Sequence, residues 1–189
     1  MGDIYYKALQ TDEEIAQLLA LQARNVYEAL DRQSQQSQGF LSVTHTPALL
    51  RAMNADCPQI IAKSGDLLCG YCLVMSRQFD RALPDLIPFF ETLYTLSWRG
   101  TPLASEARRW FVMGQVCVHE AFRGQGVFDG LYTALRERYH EAFDFTVTEV
   151  ADLNKRSMRA HERVGFQPLH RYTDDAFGRD WTVIVWEFN

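Results

Sequence analysis

Residues 112–128, VMGQVCVHEAFRGQGVF, decide the fold. Val112 to Val118 is an apolar, β-favouring run that predicts a buried strand. His119 and Glu120 make a polar corner, and Arg123-Gly124-Gln125-Gly126 reads as a loop. Beyond it Phe128, Leu131, Tyr132, Leu135 and Tyr139 recur at helical spacing. A strand feeding a helix through two glycines aims unpaired backbone N–H groups at one point, and the helix dipole adds partial positive charge there. The loop suits a phosphate or pyrophosphate, with Arg123 as a full charge beside it, although the same string also occurs in ordinary turns. Two other phosphate loops are excluded. No Gly-Lys-Ser/Thr follows the glycines, as a nucleoside triphosphatase loop requires. Phe128 and Asp129 stand where a dinucleotide fingerprint wants a clean GxGxxG.

A second stretch, residues 148–166, TEVADLNKRSMRAHERVGF, adds to this. Together the two resemble the GNAT superfamily of acyl-coenzyme-A-dependent N-acetyltransferases. The first matches its pyrophosphate motif, Arg/Gln-x-x-Gly-x-Gly/Ala, through Arg123, Gly126 and the residues between. The second matches its Asn-x-x-Ala/Ser helix ending in Gly-Phe, through Asn154, Ser157, Gly165 and Phe166. The resemblance is specific over residues 112–166 and topological elsewhere. Phe128 departs from it, standing where the family usually has Gly or Ala.

The resemblance implies acetyl-CoA as cosubstrate, no metal, and an acceptor that is the amine of a small molecule or a peptide. It assigns the pyrophosphate to Arg123, Gly124, Gln125, Gly126, Val127 and Phe128. Backbone groups of Val116, Cys117 and Val118 would take the pantetheine arm, and one N–H would polarise the thioester carbonyl; their side chains read as plain strand core. Asn154 reads as a helix N-cap, and the family also gives its side chain to pantetheine. His161 lies seven residues on, about 10 Å along the same helix face, where relatives often carry a Tyr that protonates the leaving thiolate. An imidazolium can donate that proton; the alternative is a histidine satisfied by a backbone carbonyl. Glu149 matches the strand glutamate that serves as general base in relatives acetylating protein N-termini. Burial in an apolar strand would raise its pKa, which suits a base; the alternative is a salt-bridged structural carboxylate. Glu120 is the reserve base. A second reading of the whole is a non-catalytic CoA-binding or sensing module, favoured by Phe128 and the missing Tyr.

The 189 residues read as a single domain with an insertion at about 77–106. Apolar residues are 47% and the net charge is −5 with signs interspersed, so the basic field that holds nucleic acid is missing. No run of about 18 apolar residues suggests a membrane span. The start, MGDIYYKALQTDEE, lacks a basic-then-apolar leader, and Tyr6 stands where a myristoylation signal needs Ser or Thr. The expectation is a cytoplasmic protein, compatible with a homodimer. Cys57, Cys69, Cys72 and Cys117 are expected as small buried hydrophobes. Cys69 and Cys72, three apart on a strand, should face opposite sides and so share no metal.

In chain order, residues 4–9 read as a strand. Thr11 caps a helix with Glu14 at the capping-box position and an apolar face of Ile15, Leu18, Leu19 and Ala23. Residues 31–39 read as an exposed polar loop. Thr46-Pro47 starts a helix carrying Leu49, Leu50 and Met53. Residues 59–63 and 67–76 form a hairpin across Ser64-Gly65-Asp66, and Gly70 suggests a bulge or close backbone approach. Residues 84–96 suit a short helix and 98–102 a turn, serving either as packing over a sheet edge or as a flap on the acceptor side. Strands at 145–150, 169–172 and 181–188, a helix at 154–164 and a turn at 174–180 complete a mixed α/β sheet with helices on both faces, the acetyltransferase topology.

Overall fold

The computed structural model describes residues 3–26, 41, 43–174 and 178–188. The expected loop at 31–39 and the Met1-Gly2 start lie outside them, as do residues 175–177 of the acidic turn. The strands are β1 (Ile4–Ala8), β2 (Ile60–Ser64), β3 (Leu67–Met75), β4 (Ser97–Trp98), β5 (Thr101–Pro102), β6 (Trp110–Val118), β7 (Phe145–Ala151), β8 (Gln167–Asp174) and β9 (Arg179–Glu187). The helices are α1 (Asp12–Ala23), α2 (Pro47–Asp56), α3 (Ile87–Thr95), α4 (Val127–Tyr139) and α5 (Lys155–Val164). Seven strands make one sheet in the order β1-β2-β3-β6-β7-β9-β8, and β4-β5 is a separate small hairpin. Every neighbouring pair is antiparallel except β6-β7, which is parallel and joined through α4. This is the strand-helix-strand crossover that residues 112–150 predict.

Local rules set the helix starts. Thr11 Oγ1 accepts from Glu14 N–H, and the Glu14 carboxylate takes Thr11 N–H in return, a complete capping box. Thr46 accepts from Leu49 N–H ahead of Pro47. The buried face of α1 corrects the expectation: Ala23 is exposed, and Leu21 and Gln22 are buried beside Ile15 and Leu18. Helices cover both faces of the sheet. One apolar layer joins α1, α2 and α3 to the sheet through Leu18, Leu50, Tyr71, Leu73 and Phe90. The other joins α4 to it through Leu131, Leu135, Phe111 and Ile184.

Two bulges re-aim the central strands. At the first, Ala62 pairs with Gly70 and Lys63 with Leu68, so Cys69 is the extra residue. A Cβ on Gly70 would sit 2.8 Å from the Cys117 carbonyl oxygen, the close approach its sequence suggested. The bulge flips the parity of β3, which corrects the expectation for the cysteines: Cys69 and Cys72 lie in the same apolar layer. All four cysteines are buried and unbridged. At the second bulge Val74 pairs with Met113 and Leu73 with Gln115, leaving Gly114 unmatched. The expected insertion is mostly packing: Phe89, Phe90 and Leu93 of α3 are buried in the core. No helix of the described residues is long and apolar enough to cross a membrane.

Candidate active site

The Gly114 bulge opens the sheet. Strands β6 and β7 pair only at Trp110, Phe111 and Val112 with Phe145, Thr146 and Val147. Beyond Val112, β6 stays on β3 and β7 stays on β9, so the two separate into a V. Among the described residues the β7-facing edge of β6 from Met113 to Val118 pairs with no strand, which leaves backbone groups other than the Val118 carbonyl for a ligand.

Two cavities fill the V and share Leu41, Val116, Asn154 and Ser157 as walls. The larger, about 500 Å³, runs past Val116, Cys117 and Val118 to Arg123, Gly124, Gly126, Val127 and Phe128. Gly124 and Gly126 both have φ +77°, a left-handed conformation that side chains disfavour. Gly126 is the N-cap of α4, and the first intrahelical bond runs from Gly130 N–H to Gly126 O. The N–H groups of residues 127–129 therefore precede the helix's own acceptors and carry its dipole's positive end. Arg123 is held in place: its Nε donates to Val118 O at 3.2 Å and its Nη2 to Asn25 Oδ1 at 2.9 Å. Arg156, Arg159 and Arg163 line the same cavity from α5, and Arg163 pairs with Asp129 at 2.8 Å. An open glycine cradle, a helix N-terminus and several guanidiniums fit a pyrophosphate. Gln125 does not line this cavity; its side chain donates to Ala121 O and only its backbone belongs to the loop. Phe128 is half-buried and packs on Tyr132, with ring centroids 5.0 Å apart, so its bulk is directed toward the core.

The smaller cavity, about 90 Å³, continues toward Gln115, Thr148, Glu149, His161 and Trp181, with Leu86 and Phe89 of the 77–106 segment on its wall. That segment thus both packs the core and borders the cleft. Asn154 joins the two cavities. Its Oδ1 caps α5 by accepting from Ser157 N–H at 3.2 Å, and its Nδ2 bonds no described residue. The cap and a ligand contact are compatible.

Glu149 is half-buried and accepts a short hydrogen bond from Tyr172 Oη. Burial, opposed by that bond and reinforced by the charge of Asp174, raises its pKa to about 8. Among the described residues it forms no ion pair, and Tyr172 is its hydrogen-bond partner. Glu120 is exposed and lines neither cavity, which places it outside the cleft that Glu149 faces.

His161 departs from the expectation. It is 2% exposed, enclosed by Phe128, Tyr132 and Phe166. Its Nδ1 donates to Ser157 O at 2.8 Å, leaving Nε2 to accept from Tyr132 Oη at 2.8 Å. Burial lowers its pKa to about 4, so the ring is neutral at pH 7. A neutral imidazole with both nitrogens occupied is a poor proton donor, and the satisfied-histidine alternative describes it better. Cys117, with its thiol pushed up to about 12 by burial, is no nucleophile.

Sequence reasoning missed Asn25, Leu41 and Tyr172, which reach the site only through tertiary contacts 98, 75 and 23 residues from their partners or shared walls. Arg156 and Arg159 had a signal, a basic stripe along α5 one turn apart.

A sequence model of the acetyltransferase (GNAT) family matches residues 24–166. No curated relative matches the chain. Among solved structures the fold is similar to the ribosomal-protein-S18-alanine N-acetyltransferase of Escherichia coli, with TM-score 0.63 and 9% identity over 99% of this chain and 95% of that one. It is similar to yncA of Salmonella typhimurium, solved with its cofactor acetyl-CoA, with TM-score 0.65 and 13% identity over 100% and 95%. It is also similar to the NatC complex bound to Gag peptide and CoA, with TM-score 0.64 and 17% identity over 99% of both chains. At these identities the likeness is one of fold.

Proposed function

We infer that this chain, which belongs to the acetyltransferase (GNAT) family, transfers an acetyl group from acetyl-CoA to the amine of a small molecule or a peptide. The observation that carries the reading is the charge division of the V. Guanidiniums and a helix N-terminus line the larger cavity, where the carboxylate of Asp129 is paired with Arg163, and Glu149 is the one carboxylate lining the smaller, among the described residues. The first end suits a pyrophosphate and the second an ammonium.

Acetyl-CoA supplies the activated acyl group. Arg123 and the N–H groups of residues 124–128 would hold its pyrophosphate, and the unpaired edge of β6 with Asn154 would orient the pantetheine. A β6 N–H in the V would polarise the thioester carbonyl and stabilise the developing oxyanion. Glu149 takes the proton of the entering ammonium; a carboxyl titrating near 8 is matched to amines of pKa about 8 to 10. The leaving thiolate takes its proton from solvent, since His161 is neutral and engaged.

The occupied His161 also favours a second reading, a CoA-binding module without turnover. Thiol release from acetyl-CoA across a panel of primary amines separates them. Amine-dependent release supports the transferase; tight CoA binding with no release on any amine supports the module.

A further inference from the structure

We propose that Tyr172 is the positioning residue of the cleft: its hydroxyl ties Oε2 of Glu149 and leaves the second carboxylate oxygen to face the entering amine. This rests on the reading of Glu149 as the base. The tyrosine comes from β8, on the far side of β9 from β7. Glu149 and His170 both pair with Val183, so Tyr172 lies two residues along β8 on the same face, and its long side chain reaches Glu149 diagonally. Its ring is fixed by stacking on His170 at 6.4 Å. The second oxygen of Glu149 takes no hydrogen bond from the described residues, and the residue lines the cleft.

The groups facing Glu149 give the hydroxyl its consequence. Asp174 on β8 repels a second negative charge. His161 on α5 lines the same cleft and is neutral. Gln115, Thr148 and Trp181 are uncharged, and Leu86 and Phe89 are apolar. Burial and Asp174 both oppose ionisation of Glu149, and Tyr172 alone among these groups favours it. Without the hydroxyl the carboxyl is free to rotate, and its ionised fraction at neutral pH, already a minority with a midpoint near 8, falls further, so that fewer molecules can accept from an ammonium.

The test is a carboxyl carbon-13 NMR titration of glutamate-labelled protein from pH 5 to 11, with the Glu149 resonance assigned by its loss in Glu149→Gln. The wild-type midpoint should fall near 8. Tyr172→Phe should raise it by at least one unit, cutting the ionised fraction at pH 7 about tenfold. Placing 3-fluorotyrosine at position 172 strengthens the donor without changing the packing and should lower the midpoint, which keeps the test available if the phenylalanine variant folds poorly. An unmoved midpoint in both variants overturns the proposal. Undiminished amine acetylation by Glu149→Gln would instead sink the base assignment beneath it, and the two failures are read from separate experiments.

Discussion

Glu14 and Glu149 are both carboxyls withdrawn from water, in opposite company. Glu14 accepts from Lys7 at 2.7 Å and from the N–H groups of Gln10 and Thr11, with Lys63 at 3.4 Å. Burial pushes its pKa up, but those donors outweigh burial and hold it below the usual carboxylate range. Glu149 has one hydroxyl and a like charge nearby, and burial prevails. The difference teaches which carboxyl is built to stay ionised and which to gain and lose a proton near neutrality. Glu14 closes a helix cap; Glu149 faces a cleft.

The comparison breaks most visibly in catalysis. Glu149→Gln should lower kcat/KM about 10²- to 10⁴-fold at pH 8, with CoA affinity unchanged, and regain activity as alkaline pH frees the amine. Glu14→Gln should do the reverse, costing about 3 kcal/mol of stability in urea unfolding because Lys63 is left partly buried beside a neutral group, while folded protein binds CoA normally.

The pH dependence of stability follows the same division. Glu14, with its folded pKa depressed, stabilises above the unfolded value near 4.5, and that contribution is lost as pH falls through the folded value. Glu149, with its folded pKa raised to about 8, contributes fully below 4.5, and its contribution is lost as pH rises from 4.5 to 8. Thermal melts should therefore show Glu149→Gln gaining on the wild type between pH 5 and 8, by about 3 kcal/mol. The cofactor end carries a smaller effect. Replacing Gly124 and Gly126 together with leucine should weaken CoA binding at least tenfold, about 1.4 kcal/mol, in calorimetric titrations of protein shown folded by circular dichroism.

Much of this was legible in the sequence, because its signals are local. The strand-loop-helix of residues 112–139, the cap at Thr11 and Glu14, the Thr46-Pro47 start and the Ser64–Asp66 turn each depend on neighbours a few residues away. Raised proton affinity at Glu149 followed from its apolar strand. The bulges at Cys69 and Gly114 depend on the register against partner strands, so the shared face of Cys69 and Cys72 and the opening of the V were hidden. The choice between the two readings of His161 was hidden for a related reason: helix spacing shows its face but not Tyr132, 29 residues earlier, which occupies its Nε2.

The central claim is that the V between β6 and β7 is where acetyl-CoA binds. Titrating nitrogen-15-labelled protein with acetyl-CoA tests it directly. The account predicts amide shifts over residues 113–118, 123–128 and 154–157, and none around Lys7 and Glu14. Shifts centred elsewhere, or no shifts at millimolar acetyl-CoA, would contradict it.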